Sequence, residues 1–467
     1  MSWRPGRRRF LELAATAAGA LLAGQAGIAL AGSGATWRVT NDAGVWWLIR
    51  PNGERTVSLG VNHVDPRLWV MPYNRQHTVG LYGADFSERG GRVNARSAGA
   101  RRWMGRVLDN LAGWGFNTLG FHTPVPSALF ADRIAWMATV RPITLTSYLP
   151  ALEYVDVFAP EVAARLDAGV REVCEASRGE PNLLGYVYSD RPMYGVGANP
   201  RRQGGTNPWV ATLQQQPSGS PGKRTWIGVL AQRYGTAPLA AAAQGVSASS
   251  WDALGAITSW PEASPGSPAE ADQLVFLALV VERWYQLQFE AVRRHDPAHL
   301  IFGDKLGGGK AEVGYRGGNH PAIPEYLYPI LKRYVDVVSV EWYGQIEDQV
   351  TALRAIHAAT GKPILLGDSS FAEVQPEQGG KSKGVIVRSQ AEVGDAFARY
   401  LEGAMVEPYI VGWHFCGYIE SFTAQNDRFQ PQNGFIDPFE KVHQEAVSKV
   451  KAANGKAVRW HEAALPR

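Results

Sequence analysis

Carboxylates, histidines and aromatic residues recur in this chain at one kind of place, the ends of short apolar runs. The run Leu183-Leu184-Gly185-Tyr186-Val187-Tyr188-Ser189 stops at Asp190, and Arg191-Pro192 follow. Proline lacks an N–H and biases its predecessor toward extended geometry, so a strand should end near Asp190. Asn62 and His63 close the run from Val57, His122 the run from Phe116, and Asp304 the run from Leu300. Glu341, Trp342 and Tyr343 close the run from Val335, Asp368 the run from Pro363, and Trp413-His414 sit in the run Ile410–Phe415. A single strand-end aspartate is most simply a loop cap. Several carboxylates around one aromatic-lined mouth suit glycoside cleavage. One carboxylic acid protonates the departing oxygen while a second carboxylate attacks the anomeric carbon or activates water. Mutual repulsion and burial keep one of them protonated near neutrality. The catalytic candidates are Asp190, Asp368 and Glu341. Asn62, His63, His122 and His414 are candidates to bond sugar hydroxyls, and Trp342, Tyr343 and Trp413 to hold sugar faces. Ion pairing to Arg191 or Lys305 is the competing role for Glu341, and a structural role is expected of Asp304.

Two other chemistries fit the same residues. Histidines from neighbouring strands (His63, His122, His414) with a carboxylate could bind a divalent ion and activate water. The His-x-His pair common in such barrels is missing, and neither a metal nor another cofactor is expected. A barrel that only binds carbohydrate is the other alternative.

Eight apolar runs separated by helical patterns position these residues. In order they are 57–63, 116–122, 143–148, 183–190, 300–304, 335–343, 363–368 and 410–415. Near-continuous apolar strands alternating with helices predict a parallel sheet buried on both faces. With eight strands, the α/β class resolves to a single (β/α)8 barrel, whose active site lies at the carboxyl ends of its strands. An open doubly wound sheet would advertise a Gly-rich loop after its first strand; here that strand ends in Asn62-His63. Strand and turn residues (Val45–Gly53) precede the barrel, 67–98 reads as a long loop, and 193–268 as a loop-rich insertion after strand four with one helical piece near 224–233 and a polar piece around 251–254. Helices are expected over 101–114, from 160 through Cys174, over 270–294 and over 437–451.

The chain has 467 residues, 45% hydrophobic and 19% charged, with 16 Trp and a net charge of +4. That length suits one large barrel with insertions. Basic residues are not clustered outside the first segment, which argues against a nucleic-acid partner. The first 31 residues read as an export leader. Arg7-Arg8-Arg9-Phe10-Leu11 precedes an Ala/Leu/Gly-rich segment, and Ala29-Leu30-Ala31 supplies small residues at a cleavage site. Paired arginines before Phe-Leu fit twin-arginine export. The expected mature chain, 32–467, is one periplasmic or secreted domain with a carbohydrate partner and no stable membrane insertion. Two cysteines, Cys174 and Cys416, do not make a disulfide scaffold and are expected as buried thiols.

Several motifs together resemble the agarase-like bacterial glycoside hydrolases of clan A, over about Val57 to Asp437. They are Ser58-Leu59-Gly60-Val61-Asn62-His63, Trp114-Gly115-Phe116-Asn117-Thr118, Gly185–Asp190, Lys362–Asp368 and Gly412-Trp413-His414. Arg233-Tyr234-Gly235 leading to Ser250-Trp251-Asp252 adds to them. The resemblance implies a barrel glycosidase with a glutamate acid after strand four, usually preceded by asparagine, and a glutamate nucleophile after strand seven. It implies sugar- and nucleophile-contacting roles for Tyr343 and Trp413. This sequence departs at both catalytic places. Asp190 falls at the asparagine, Arg191 at the acid, and Asp368 at the nucleophile. Aspartate is one methylene shorter, so a wider pair and an inverting reaction are expected, with Asp190 and Asp368 as the working carboxylates.

Overall fold

The structure is a computed structural model. It describes residues 36–88, 91–146, 152–180, 182–195, 198–199, 202–203, 205–307, 323–378, 384–422 and 433–464. The expected leader, residues 1–31, lies outside them. Eight parallel strands close into a barrel in sequence order. They are Ser58–Val61, Thr118–Leu119, Ala135–Thr139, Leu183–Asp190, Leu300–Gly307, Val338–Glu341, Ile364–Ser369 and Ile410–Phe415. Both faces of most strands are buried, which is why the runs read as continuous apolar stretches rather than alternating ones.

The inner core is small. Phe121, Met137, Leu184, Val187, Phe302, Leu365 and Val411 meet inside, together with Trp37 and Leu48 from outside the barrel. Leu48 lies in, and Trp37 immediately precedes, a three-stranded antiparallel sheet of Arg38–Asp42, Val45–Ile49 and Arg55–Thr56 that packs onto the barrel floor. Each buried side chain of this size contributes on the order of 1.5–3 kcal/mol. The larger core lies between strands and helices, where Trp103, Trp284, Phe397 and Tyr400 come from the helices Ala98–Gly113, Pro268–His295 and Gln390–Met405.

Three expectations need correction. Strand three is Ala135–Thr139, not 143–148; Ile143, Leu145 and Thr146 are buried but outside any strand, and residues 147 and 148 lie outside the described residues. The apolar run 134–140 offers both faces to the core, and period-two reasoning has no purchase on it. The stretch 67–98 is not only loop, since it holds a 3-10 turn at Pro66–Trp69 and a helix at Arg75–Tyr82. The insertion is largely helical: Pro208–Gln214, Pro221–Tyr234, Ala237–Ala243 and Trp251–Gly255. Proline in the first turn of three of them pre-sets the helical φ where no N–H is needed. Trp209 packs edge-on against Trp284 and Trp226 against Phe276, which seats the insertion on the long helix. Both cysteines are buried, and neither is in a disulfide.

Candidate active site at the carboxyl ends of the strands

Lys305 sits at the centre. Its side chain is fully buried, and its Nζ lies 2.6 Å from Asp368 Oδ2, 3.1 Å from Glu341 Oε2 and 3.2 Å from Asp190 Oδ1. The ammonium also stands 4.7 Å from the centre of the Phe121 ring, a favourable cation–π contact. Arg191 Nη1 adds a 3.3 Å contact to Glu341 Oε1. His122 Nε2 lies 2.7 Å from Asp190 Oδ2, and its ring stacks on His63 with centroids 4.5 Å apart. Three carboxylates from strands four, six and seven therefore share one cation.

A backbone slip places the lysine there. In an unbroken strand Phe302 and Lys305, three apart, would face opposite sides. Gly303 adopts φ 65° where the pairing with strand four shifts register, so both turn inward. A Cβ at this position would meet Val335 Cγ1 at 2.7 Å. Strand seven slips likewise between Leu366 and Ser369, bringing Asp368 to the same side as Leu365. The site also holds three non-glycine residues at positive φ, His63 (58°), His122 (60°) and Arg191 (51°). Such backbone costs of order 1–3 kcal/mol each, and clusters of it mark functional sites.

The electrostatics divide the carboxylates. Burial would raise Asp190, but the Lys305 ammonium and the hydrogen bond from His122 hold it well below the usual range. Burial opposed by the Lys305 ammonium, which is also hydrogen-bonded to it, leaves Asp368 lowered as well. Glu341 goes the other way. Burial first, then the charges of Asp190 and Asp368, push it up to about 8 against the pull of Lys305 and Arg191. Burial and Lys305 lower His122, so its neutral ring donates the Nε2–H to Asp190. Lys305 is held firmly protonated by its three partners despite its burial. Because the folded Glu341 titrates above its unfolded value of roughly 4.3, its contribution to stability is full below that value and is lost as pH rises through about 8. Glu341→Gln is expected to remove this slope and to gain stability relative to the parent between those limits. Denaturant unfolding across the range checks it; parallel curves would contradict it.

These positions can be set beside known proteins. No protein-family model matches the chain. Over 354 residues it is 24% identical to Beta-agarase B of Vibrio sp. (strain JT0107); the match covers 73% of this chain and 34% of that protein, so the chain spans about a third of the relative's length. The crystal structure of an agarase, AgWH50C, superposes with a TM-score of 0.71 at 18% identity, covering 99% of this chain and 72% of the other. An exo-beta-agarase gives 0.70 at 18% identity, covering 98% and 71%. The chain shares the agarase fold.

Not every sequence candidate reaches this mouth. Asp190, Asp368, Glu341, His63 and His122 are brought together. Asn62 is fully buried, and its Nδ2 donates to Gly367 O at 2.8 Å. His414 turns inward beneath the site, 2.8 Å from Ser58 Oγ, and burial pushes its pKa down to about 3. Gly60 leaves it room, since a Cβ there would come within 2.3 Å of the ring. Neither residue is placed to bond a sugar. Trp413 is a further correction: with His414 facing in, it faces out, packs on Phe397 and Tyr400, and donates to Ser369 Oγ at 2.8 Å. Trp413→Ala is expected to cost about 3–5 kcal/mol of stability while leaving carbohydrate affinity of the folded variant unchanged, as unfolding and binding titrations would report. Trp342 and Tyr343 follow strand six and are half-buried, with the Trp342 N–H donating to Asp368 O at 3.2 Å. Asp304 is structural, accepting from Ser189 N–H and the Tyr194 hydroxyl.

Lys305 is the central residue that sequence reasoning missed. The sequence offers it only as an ion-pair partner for Glu341. The available signal was Gly303 inside a strand, which marks a bulge and therefore a change of face.

Proposed function

We propose that this protein is an exported glycoside hydrolase that cleaves O-glycosidic bonds of an agarose- or galactan-like glycan with carboxylates at the barrel mouth. The observation that carries the reading is the gathering of Asp190, Glu341 and Asp368 on one ammonium, with one carboxyl raised and two lowered. A protonated acid beside an ionised carboxylate is what glycosidic cleavage requires. Similarity to Beta-agarase B supports the substrate class. The oxygens of Asp190 and of Glu341 that touch Lys305 each lie no further from that of Asp368 than the two contacts laid end to end. That is short of the roughly 6.5 Å at which inverting pairs begin, so the geometry favours retention over the inversion expected from the shortened side chains. Export rests on the arginine-led apolar segment at the amino terminus; among the described residues no helix is long and apolar enough to cross a membrane.

A metal-dependent reaction is disfavoured by the same lysine. His63, His122 and Asp368 offer ligand atoms within 4.8 Å of one another. The Lys305 ammonium lies 2.6 Å from Asp368 and 3.4 Å from His122 Nε2, where it would repel a metal ion. The reading with an observation behind it is a barrel that binds glycan without cutting it. Lys305 neutralises the carboxylates, and their side chains are only 3–4% exposed. His122, at 17%, gives the approach from solvent. Product analysis of the purified protein on agarose, other galactans and further β-linked glycans separates the two. Reducing-end products support hydrolysis; saturable binding without product supports the second reading.

A further inference from the structure

We infer that Glu341, on strand six, holds the one transferable proton of the site and delivers it to the leaving oxygen, with Lys305 as the positioning residue that keeps that proton off Asp190 and Asp368. The catalytic part rests on the hydrolase reading above; the location of the proton does not.

The argument begins with a count of charges. Three carboxylates (Asp190, Glu341, Asp368) face two permanent cations, Lys305 from strand five and Arg191 after strand four, with the His122 ring from strand two beside them and His63 from strand one stacked behind it. Fully ionised, this buried group carries one uncompensated negative charge, which is expensive in a low-dielectric interior. One proton cancels it. The contacts indicate where it resides. Asp368 has the shortest ammonium contact, 2.6 Å, and Asp190 has the imidazole at 2.7 Å as well as the ammonium. Glu341 meets its two cations at 3.1 and 3.3 Å, both longer than the shortest contact of either aspartate. The least tightly held carboxylate is the one that stays protonated, in line with the upward shift of Glu341 and the downward shifts of the aspartates. A protonated Glu341 can also donate to Asp190, with which it is hydrogen-bonded.

In the reaction, the Glu341 O–H proton passes to the glycosidic oxygen as its bond to the anomeric carbon breaks. Asp368 Oδ forms the new bond to that carbon. Water then attacks the same carbon, releasing the Asp368 carboxylate and returning a proton to Glu341. Atoms and charge balance without another reactant. The acid thus comes from strand six, and the position of Arg191 after strand four is occupied by a residue that steers Glu341 rather than by an acid.

Infrared difference spectroscopy tests the location of the proton without any substrate. At neutral pH the parent is expected to show the carbonyl stretch of one buried protonated carboxylic acid, fading as pH is taken through about 8. Glu341→Gln should remove this band, Asp190→Asn should move its loss to lower pH because one of the charges that raise Glu341 is gone, and Lys305→Met should add a second. A band untouched by Glu341→Gln overturns the inference, and so does the absence of any band in the parent, which needs no variant to fold. On a glycan that the parent cleaves, Glu341→Gln should lose at least about 100-fold in turnover, with more activity retained on substrates whose leaving group needs no protonation. Equal loss on both kinds of substrate overturns the acid role. If the parent cleaves nothing while Glu341→Gln still abolishes the band, the hydrolase reading fails and the proton assignment stands.

Discussion

Replacing Asp368 with asparagine is expected to reduce turnover by about 10⁴-fold or more, with the fold intact. Removing one member of a catalytic unit costs losses of this order. Asparagine keeps the volume and can still accept from Lys305, so stability should fall far less than activity. Asp368 is the carboxylate closest to the ammonium and is held ionised in the buried site, which suits it to attack rather than to protonate. Single-turnover kinetics on an agarose oligosaccharide, with circular dichroism to verify folding, provide the measurement. Near-parental turnover would remove Asp368 from the reaction and leave Asp190 as the remaining ionised candidate.

Lys305→Met should produce the largest loss of stability of any substitution at the site, about 3–5 kcal/mol at neutral pH. It removes the one charge that Asp190, Glu341 and Asp368 share and leaves them buried against each other. The pH dependence gives this prediction its sign. In the parent, Asp190 and Asp368 have lowered values, so their contribution is present above the unfolded value of roughly 3.9 and is lost as pH falls through the lower folded values. Without the lysine, burial dominates and both values rise, so stability returns as acid protonates them. The two unfolding curves should therefore converge toward about pH 4. A deficit constant with pH would mean that the lysine contributes packing alone.

Much of this arrangement was legible in the chain itself. Seven of the eight barrel strands can be located from apolar runs bounded by glycine, proline or a polar end, because a strand buried on both faces has little room for charge. The run at 134–140 has the same composition, but it lies beside 143–148, and composition cannot choose between two short apolar neighbours. The clustering of Asp190, Glu341 and Asp368 also followed from strand order, since parallel strands bring their carboxyl ends to one rim. Side-chain direction did not follow. Trp413 and His414 were read as one feature, yet adjacent residues on a strand point to opposite faces, and only His414 turns inward. Lys305 was hidden because Gly303 changes the face of every residue after it. In the insertion the helix Pro221–Tyr234 is legible near 224–233, while its neighbours are masked by the Gly, Pro and Ser residues that cap and join them.

The sheet beneath the barrel ties the two ends of the chain to each other. Trp47 meets the ring of His461 at 4.6 Å, and the backbone carbonyl of Trp46 lies 2.7 Å from His461 Nε2. Residues more than 400 positions apart in sequence thus form one clasp, a contact of the most non-local kind. A growing polypeptide can shape its strands as they emerge, but it can fasten this clasp only after residue 461 has been made. A product that stops before the helix Ala457–Glu462 lacks the His461 half of the clasp and leaves Trp46 and Trp47 without that partner.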